Sequence, residues 1–217
     1  MIRLKKEKIP DVLEVNGGEW TRQYMEYFNS GEKIPNSLKS KYAHPSIKEA
    51  LLKETKGKCA YCESSFIATD YGDIEHIEPK SKVPSKIFEW NNLTIACGKC
   101  NLSKRDYLNA KLPLLNPYID EPEKEIRFIG PIIFAGSKRG KMTIKKLQLD
   151  RIELYERRRA YINSIQPLID FYFSADEHEL KKLLYEQLLE YTEENKEYVS
   201  MIKSIIKTID SPVPVEV

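Results

Sequence analysis

Two Cys-x-x-Cys pairs, Cys59–Cys62 and Cys97–Cys100, hold all four cysteines of the chain and constrain its fold more than any other feature. Two intervening residues let both sulfurs of a pair reach one ion at roughly 2.3 Å, and four thiolates close a tetrahedral shell around a structural zinc. In a chain read as cytosolic, this pattern favours metal over disulfide. An iron–sulfur cluster or four unrelated thiols are the alternatives. A redox pair is disfavoured, because neither motif starts a helix after a strand of a βαβ unit. The pairs stand 34 residues apart, longer than in a common zinc ribbon. The insert between them is where chemistry is expected.

Length and composition bound the rest. The chain has 217 residues, 41% hydrophobic and 31% charged, which is enough for a packed core in an ordinary globular protein. No apolar run reaches the roughly 18 residues of a membrane span. The opening Met-Ile-Arg-Leu-Lys-Lys-Glu-Lys is charged throughout and is no signal peptide, so the expected compartment is the cytoplasm. A net charge of +2 argues neither for nor against nucleic acid. The distribution says more: residues 138–159 carry nine Lys or Arg against three Asp or Glu, and residues 176–217 carry five Lys against ten acids. A basic segment beside an acidic end suits phosphate binding by one part and partner docking by the other, or simply two solvated helix faces.

Inside the insert lies Asp73-Ile-Glu75-His76-Ile-Glu-Pro79-Lys80-Ser81, followed by Trp90-Asn91-Asn92-Leu93-Thr94-Ile95-Ala96-Cys97. Residues 73–77 and 93–96 read as short strands, with Pro79 stopping the first, and a helix opens at Cys100-Asn101. Hydrolysis of a phosphodiester needs a base for water and positive charge for the leaving oxygen. An imidazole titrating near neutrality suits the first task, and a hard dication on carboxylate and amide oxygens suits the second. Glu75 and His76 are neighbours on a strand and would face opposite ways unless the strand ends or twists there. Lys104 and Arg105 add positive charge near the helix start, where free N–H groups also favour phosphate. Plainer readings stand beside these: Asn101 as a helix cap, Lys104 and Arg105 as solvated charges, and His44 as a cap. His178 reads as exposed, and Phe88 and Trp90 as hydrophobic anchors of the loop.

Cys-x-x-Cys, Glu-His-x-x-Pro, Asn-Leu and Cys-x-x-Cys-Asn-x-x-Lys together resemble the HNH endonuclease family, over about 50 of the 217 residues. The resemblance implies a ββα-metal finger. It implies His76 as general base, Glu75 and Asn101 as ligands of a catalytic Mg²⁺ or Mn²⁺, and Asn92 as the brace that orients the base. It places Lys104 near the scissile phosphate, with Arg105 and Lys80 as further nucleic-acid contacts. It implies DNA as substrate, with RNA left open. Glu75 departs from the Asp or His that many members carry. The opening Ile-Arg-Leu-Lys-Lys, Cys-Ala-Tyr-Cys-Glu and the later Leu-Leu-Asn-Pro-Tyr-Ile-Asp-Glu-Pro are similar to HNH proteins of Septu-type and retron-associated antiphage systems. That similarity implies a bacterial defence effector working beside an ATPase that could dock on the acidic end.

The expected fold class is α+β, mainly α, with the zinc finger set between helical segments. The expected division is 1–56 helical, 57–110 nuclease core, 111–142 connector and 143–217 helical. Trp20, Tyr24, Tyr27 and Phe28 predict a helix from about Gly18 with those rings in the core, and Pro45 to Gly57 brackets another over 45–56. The proline-punctuated 111–122 reads as a surface connector, and Ile126–Phe134, broken at Gly130-Pro131, as a small hairpin. Asp150 with Glu153 and Ser174 with Glu177 resemble capping boxes, predicting helices over 151–172 and 175–191. Tyr198, Met201, Ile202, Ile205, Ile206 and Ile209 give a third helical face, and the tail at Pro212 reads as frayed. A zinc-dependent nucleic-acid- or protein-binding adaptor without chemistry fits the scaffold equally well; only the Glu75, His76 and Asn101 set argues for catalysis.

Overall fold

The strands between the cysteine pairs form the centre of the molecule. In the computed structural model, which describes residues 1–66 and 71–209, β1 (Asp73–His76) runs antiparallel to β2 (Leu93–Ala96). Asp73 lies opposite Ala96 and His76 opposite Leu93. All four residues of β2 are buried, as an apolar strand covered on both faces must be. α4 (Gly98–Lys104) follows, starting slightly before the expected Cys100 because Cys97 already takes the extended conformation of a cap.

The N-terminal third wraps this unit. α1 (Asp11–Ser30) begins well before Gly18: Pro10 supplies the extended entry, and the Gly17-Gly18 pair does not interrupt it. Gly17 is buried, and a side chain there would meet Leu13 and the Phe88 carbonyl at ordinary contact distances. Trp20 and Tyr24 pack edge-to-face on Phe88, at centroid distances of 5.6 and 6.1 Å. Phe28, expected in the core, is 48% exposed. After the short α2 (Asn36–Lys39), α3 (Pro45–Glu54) is capped by His44, whose Nδ1 accepts from the Ser46 N–H. Gly57 leaves the helix at φ 70°, a conformation glycine adopts without strain.

Upstream of α1, the Lys6 ammonium sits 4.1 and 4.3 Å from the ring centres of Trp90 and Tyr118. It donates to the Leu93 carbonyl and pairs with Glu54. The 111–122 connector therefore does more than run over the surface. Leu115 is buried, and the Tyr118 hydroxyl reaches Glu54 at 2.8 Å and Thr94 at 2.9 Å. Apolar and aromatic side chains in a proline-rich stretch are enough to bury it where a groove exists. α5 (Pro122–Glu125) leads into the hairpin β3 (Ile126–Ile129) and β4 (Ile132–Ala135), turned at Gly130 with φ 53°.

α6 (Lys138–Leu147), α7 (Ile152–Ser174), α8 (His178–Glu190) and α9 (Val199–Ile206) complete the described chain. Neither capping box forms. Arg151 takes the cap of α7 and Glu153 pairs with Lys99 at 2.7 Å instead of reaching back. Ser174 is still helical and its hydroxyl donates to Phe171 O, so α8 starts later, after Glu177. Val199, Met201, Ile202 and Ile206 bury the apolar face of α9, which packs on β3. His178 is exposed. The tail at Pro212 lies outside the described residues. No helix among the described residues is long and apolar enough to cross a membrane.

Candidate active site and zinc centre

The two knuckles converge. Cys59, Cys62, Cys97 and Cys100 place their sulfurs within 4.8 Å of one another, and none is in a disulfide. The Ala60 N–H donates to Ile95 O, tying the first knuckle to β2, and Cys97 and Cys100 flank the start of α4. Three of the four cysteines are buried and Cys97 is half-buried. Tetrahedral zinc with bonds of roughly 2.3 Å needs sulfurs a little under 4 Å apart; Cys62 and Cys97 stand at 3.9 Å. The donor set fits a closed zinc site with no position left for water.

On β1 the alternation of side chains splits Glu75 from His76. Glu75 turns to α4, where its carboxylate meets the Lys104 ammonium at 2.5 Å. Lys104 also donates to the His76 carbonyl at 2.8 Å. Lys104, expected at the scissile phosphate, is only 3% exposed, because its ammonium is spent on this strand. Burial raises the Glu75 carboxyl above its ordinary range, with Lys104 opposing that shift. Asn101 does not meet Glu75: its amide donates to Asp73 at 3.0 Å. Asp73 was not singled out in the sequence, yet it stands two residues before Glu75 and so shares its face of the strand.

His76 lies on the other side of β1 and is 5% exposed. Its Nε2 is 3.0 Å from the Ile87 carbonyl, which can only accept, so the ring proton sits on Nε2 and the neutral ring's lone pair on Nδ1. Burial lowers its pKa to about 4; the Lys80 and Lys104 charges act in the same direction, and the Ile87 contact opposes them. The Tyr42 ring packs edge-on at 4.7 Å. The Tyr42 hydroxyl accepts from Lys80 at 2.6 Å, so Lys80 is tethered beside the imidazole. Tyr42 also escaped the sequence reading, since it lies outside the finger and no spacing links it to His76.

Asn92 holds the loop between the strands. Its Oδ1 accepts from the Glu78 N–H at 2.7 Å, and its Nδ2 donates to Glu78 O at 3.0 Å and Lys86 O at 3.1 Å. Those bonds fix the chain just past His76 and just before Ile87, the two ends that orient the imidazole. Arg105 ends α4 at φ 51° and is exposed.

A profile of the HNH endonuclease family matches residues 59–106, from the first knuckle through α4. Two curated bacterial proteins are similar over more of the chain, and each is called Septu protein PtuB. The one from Bacillus thuringiensis is 29% identical over 154 residues, covering 70% of this chain and 56% of that protein. The one from Bacillus mycoides (strain KBAB4) is 32% identical over 205 residues, covering 76% of this chain and 68% of that protein. The chain belongs to the HNH family, among the PtuB proteins. The resemblance read from Glu75-His76 and the two knuckles is thereby borne out. So is the fold class: mainly helical, with small antiparallel sheets and a four-cysteine cluster able to hold zinc.

Proposed function

We propose that this protein is an endonuclease of bacterial antiphage defence that hydrolyses DNA phosphodiester bonds, with His76 as the general base. The observation that carries this reading is the state of the imidazole. Its Nε2 is held at 3.0 Å by Ile87 O, which can only accept, so Nδ1 is the nitrogen left to take a proton, and burial favours the neutral ring. Ile87, the Tyr42 ring and the Asn92 clasp hold that ring in place. Glu75, with Asp73 and Asn101, would offer carboxylate and amide oxygens of the kind that suits Mg²⁺ or Mn²⁺. When bound, such an ion supplies positive charge for the departing 3′ oxygen. A dication at Glu75 has to compete with the Lys104 ammonium. Lys104 acts through Glu75 in this scheme, while exposed Arg105 and the tethered Lys80 contact phosphates. The acidic C-terminal helices, with Phe171, Phe173 and Leu183 exposed beside them, are the surface we assign to an ATPase partner.

A zinc-dependent binding adaptor is the second reading, favoured by the internal pairing of Glu75 with Lys104. Incubating plasmid DNA with Mg²⁺ or Mn²⁺ and comparing wild type with His76→Ala separates the two. The nuclease reading expects nicking by wild type and a loss of at least about a hundredfold in the variant. Equal nicking by both removes His76 as base. Low-salt DNA binding by both, with no cleavage by either, selects the adaptor.

A further inference from the structure

Two arginines of the C-terminal helical region, one buried and one half-buried, have no ion pair with a carboxylate among the described residues. Arg158, on α7, is 2% exposed, and no ion pair engages it among the described residues. Its Nη1 donates to Leu149 O, its guanidinium carbon lies 5.2 Å from the Phe128 ring centre, and its Nε is buried with no hydrogen-bond partner. Arg151, which caps the same helix, is half-buried. Its Nη1 reaches Gln148 O at 3.0 Å and Cys100 Sγ at 3.8 Å, and its Nε is again buried and unpartnered. A buried cation without a counter-ion is costly, so an anion must stand near. The direct contact is Arg151 Nη1 on Cys100 Sγ at 3.8 Å; Arg158 lies seven residues further along the same face of α7, where the charges of Cys62 and Glu63 favour its cation. Glu63 is already engaged by the Met1 amino group and Ser200, which leaves the sulfurs as the shared negative charge.

The chemistry of the cluster completes the argument. Four thiolates around one dication would carry a net charge of −2, and three of the four cysteines that would form it are buried. Two guanidiniums equal that charge in number and oppose it in sign. N–H donors to coordinated sulfur also hold the thiolate in its deprotonated, ligating form. We propose that Arg151 and Arg158 are the built-in counter-charge of a zinc–tetrathiolate centre, so that zinc occupancy and the docking of α7 on the finger stabilise each other. Both residues act through the cysteines and are positioning residues, not ligands. The basic run over 138–159 is thus divided: part is solvated, and part faces inward on sulfur.

The test is zinc retention by the full-length protein, with zinc stoichiometry measured first. A chromogenic chelator then reads the release rate for wild type, Arg151→Met, Arg151→Lys and Arg158→Met. Outer partners of metal ligands are worth about 10- to 100-fold in affinity. Arg151→Met and Arg158→Met should therefore each release zinc about tenfold faster or more, with Arg151→Lys falling between Arg151→Met and wild type. Thermal melts of zinc-loaded and zinc-stripped protein supply a second readout. The arginine substitutions should lower Tm more in the loaded protein, whereas a packing role lowers both equally. Arg151 is half-exposed, so its variant decides the matter should Arg158→Met fail to fold. Release from Arg151→Met at the wild-type rate, or equal Tm losses in the two states, overturns the proposal. Absence of zinc from the wild-type protein would instead remove the premise that the cysteines hold it.

Discussion

The finger has two halves that meet at α4, and they are organised in opposite ways. On the cysteine side, four donors from two knuckles point at one another across less than 5 Å. On the strand side, each polar group is already engaged within the protein: Glu75 by Lys104, Asn101 by Asp73, His76 by Ile87. One half is an assembled coordination shell. The other is a set of groups at rest, whose use requires exchange of one partner for another. On the function proposed above, a structural ion and a reacting centre would ask for this difference, since the first must never let go and the second must admit and release.

The largest effect that could break this contrast lies in the cysteines. Cys100→Ser removes one donor from a closed shell, and because metal binding in such sites is folding free energy, the loss should exceed about 5 kcal/mol. Thermal unfolding with zinc quantification reads it directly, and a variant that melts like wild type while lacking zinc would show the cluster to be dispensable. Next in size is the Glu75–Lys104 pair. Lys104→Ala strands a buried carboxylate and should cost about 3–5 kcal/mol in denaturant melts. Combining it with Glu75→Gln should return part of that loss, giving a coupling above about 1 kcal/mol. Strict additivity would mean that Glu75 is free rather than paired, and would bring the strand side closer to the cysteine side in design. The smallest effect is a pH slope. Between about 6.5 and 4 the unfolded chain takes up a proton at His76 that the folded chain refuses, so stability falls as pH falls through that window. His76→Gln should flatten this part of the stability profile. An identical slope in the variant would place the ring in water rather than in the interior.

What the sequence revealed follows the same division. Covalent spacing fixes the knuckles, so Cys59-x-x-Cys62 and Cys97-x-x-Cys100 were readable from residue order alone. Short-range rules also served: β2 was placed at its observed bounds, Pro45 and Gly57 bracket α3, and Gly130 turns the hairpin. Partner choice is a different matter. That Lys104 faces Glu75, that Asn101 faces Asp73 and that Tyr42 packs on His76 depend on how α4 and the N-terminal third sit on β1, which no local pattern encodes. Strand alternation did hold the clue to Asp73, two positions from Glu75. The same limit explains the caps. Ser174 and Asp150 carry the right residues for a box, yet Lys99 claims Glu153 from 54 residues away. Arg158 reads as one more surface charge in a basic run until the cysteine cluster is seen beside it.

The ammonium of Lys6 joins chain segments 48 and 87 residues distant, and two aromatic rings close over it. Contacts of such reach close long loops and are made with residues outside the segment itself. It follows that the family's signature segment is no portable cassette. Excised at its own borders, it would leave the indole of Trp90 and the edge of β2 uncovered, and recombination between relatives should respect a boundary that includes the first residues of the chain.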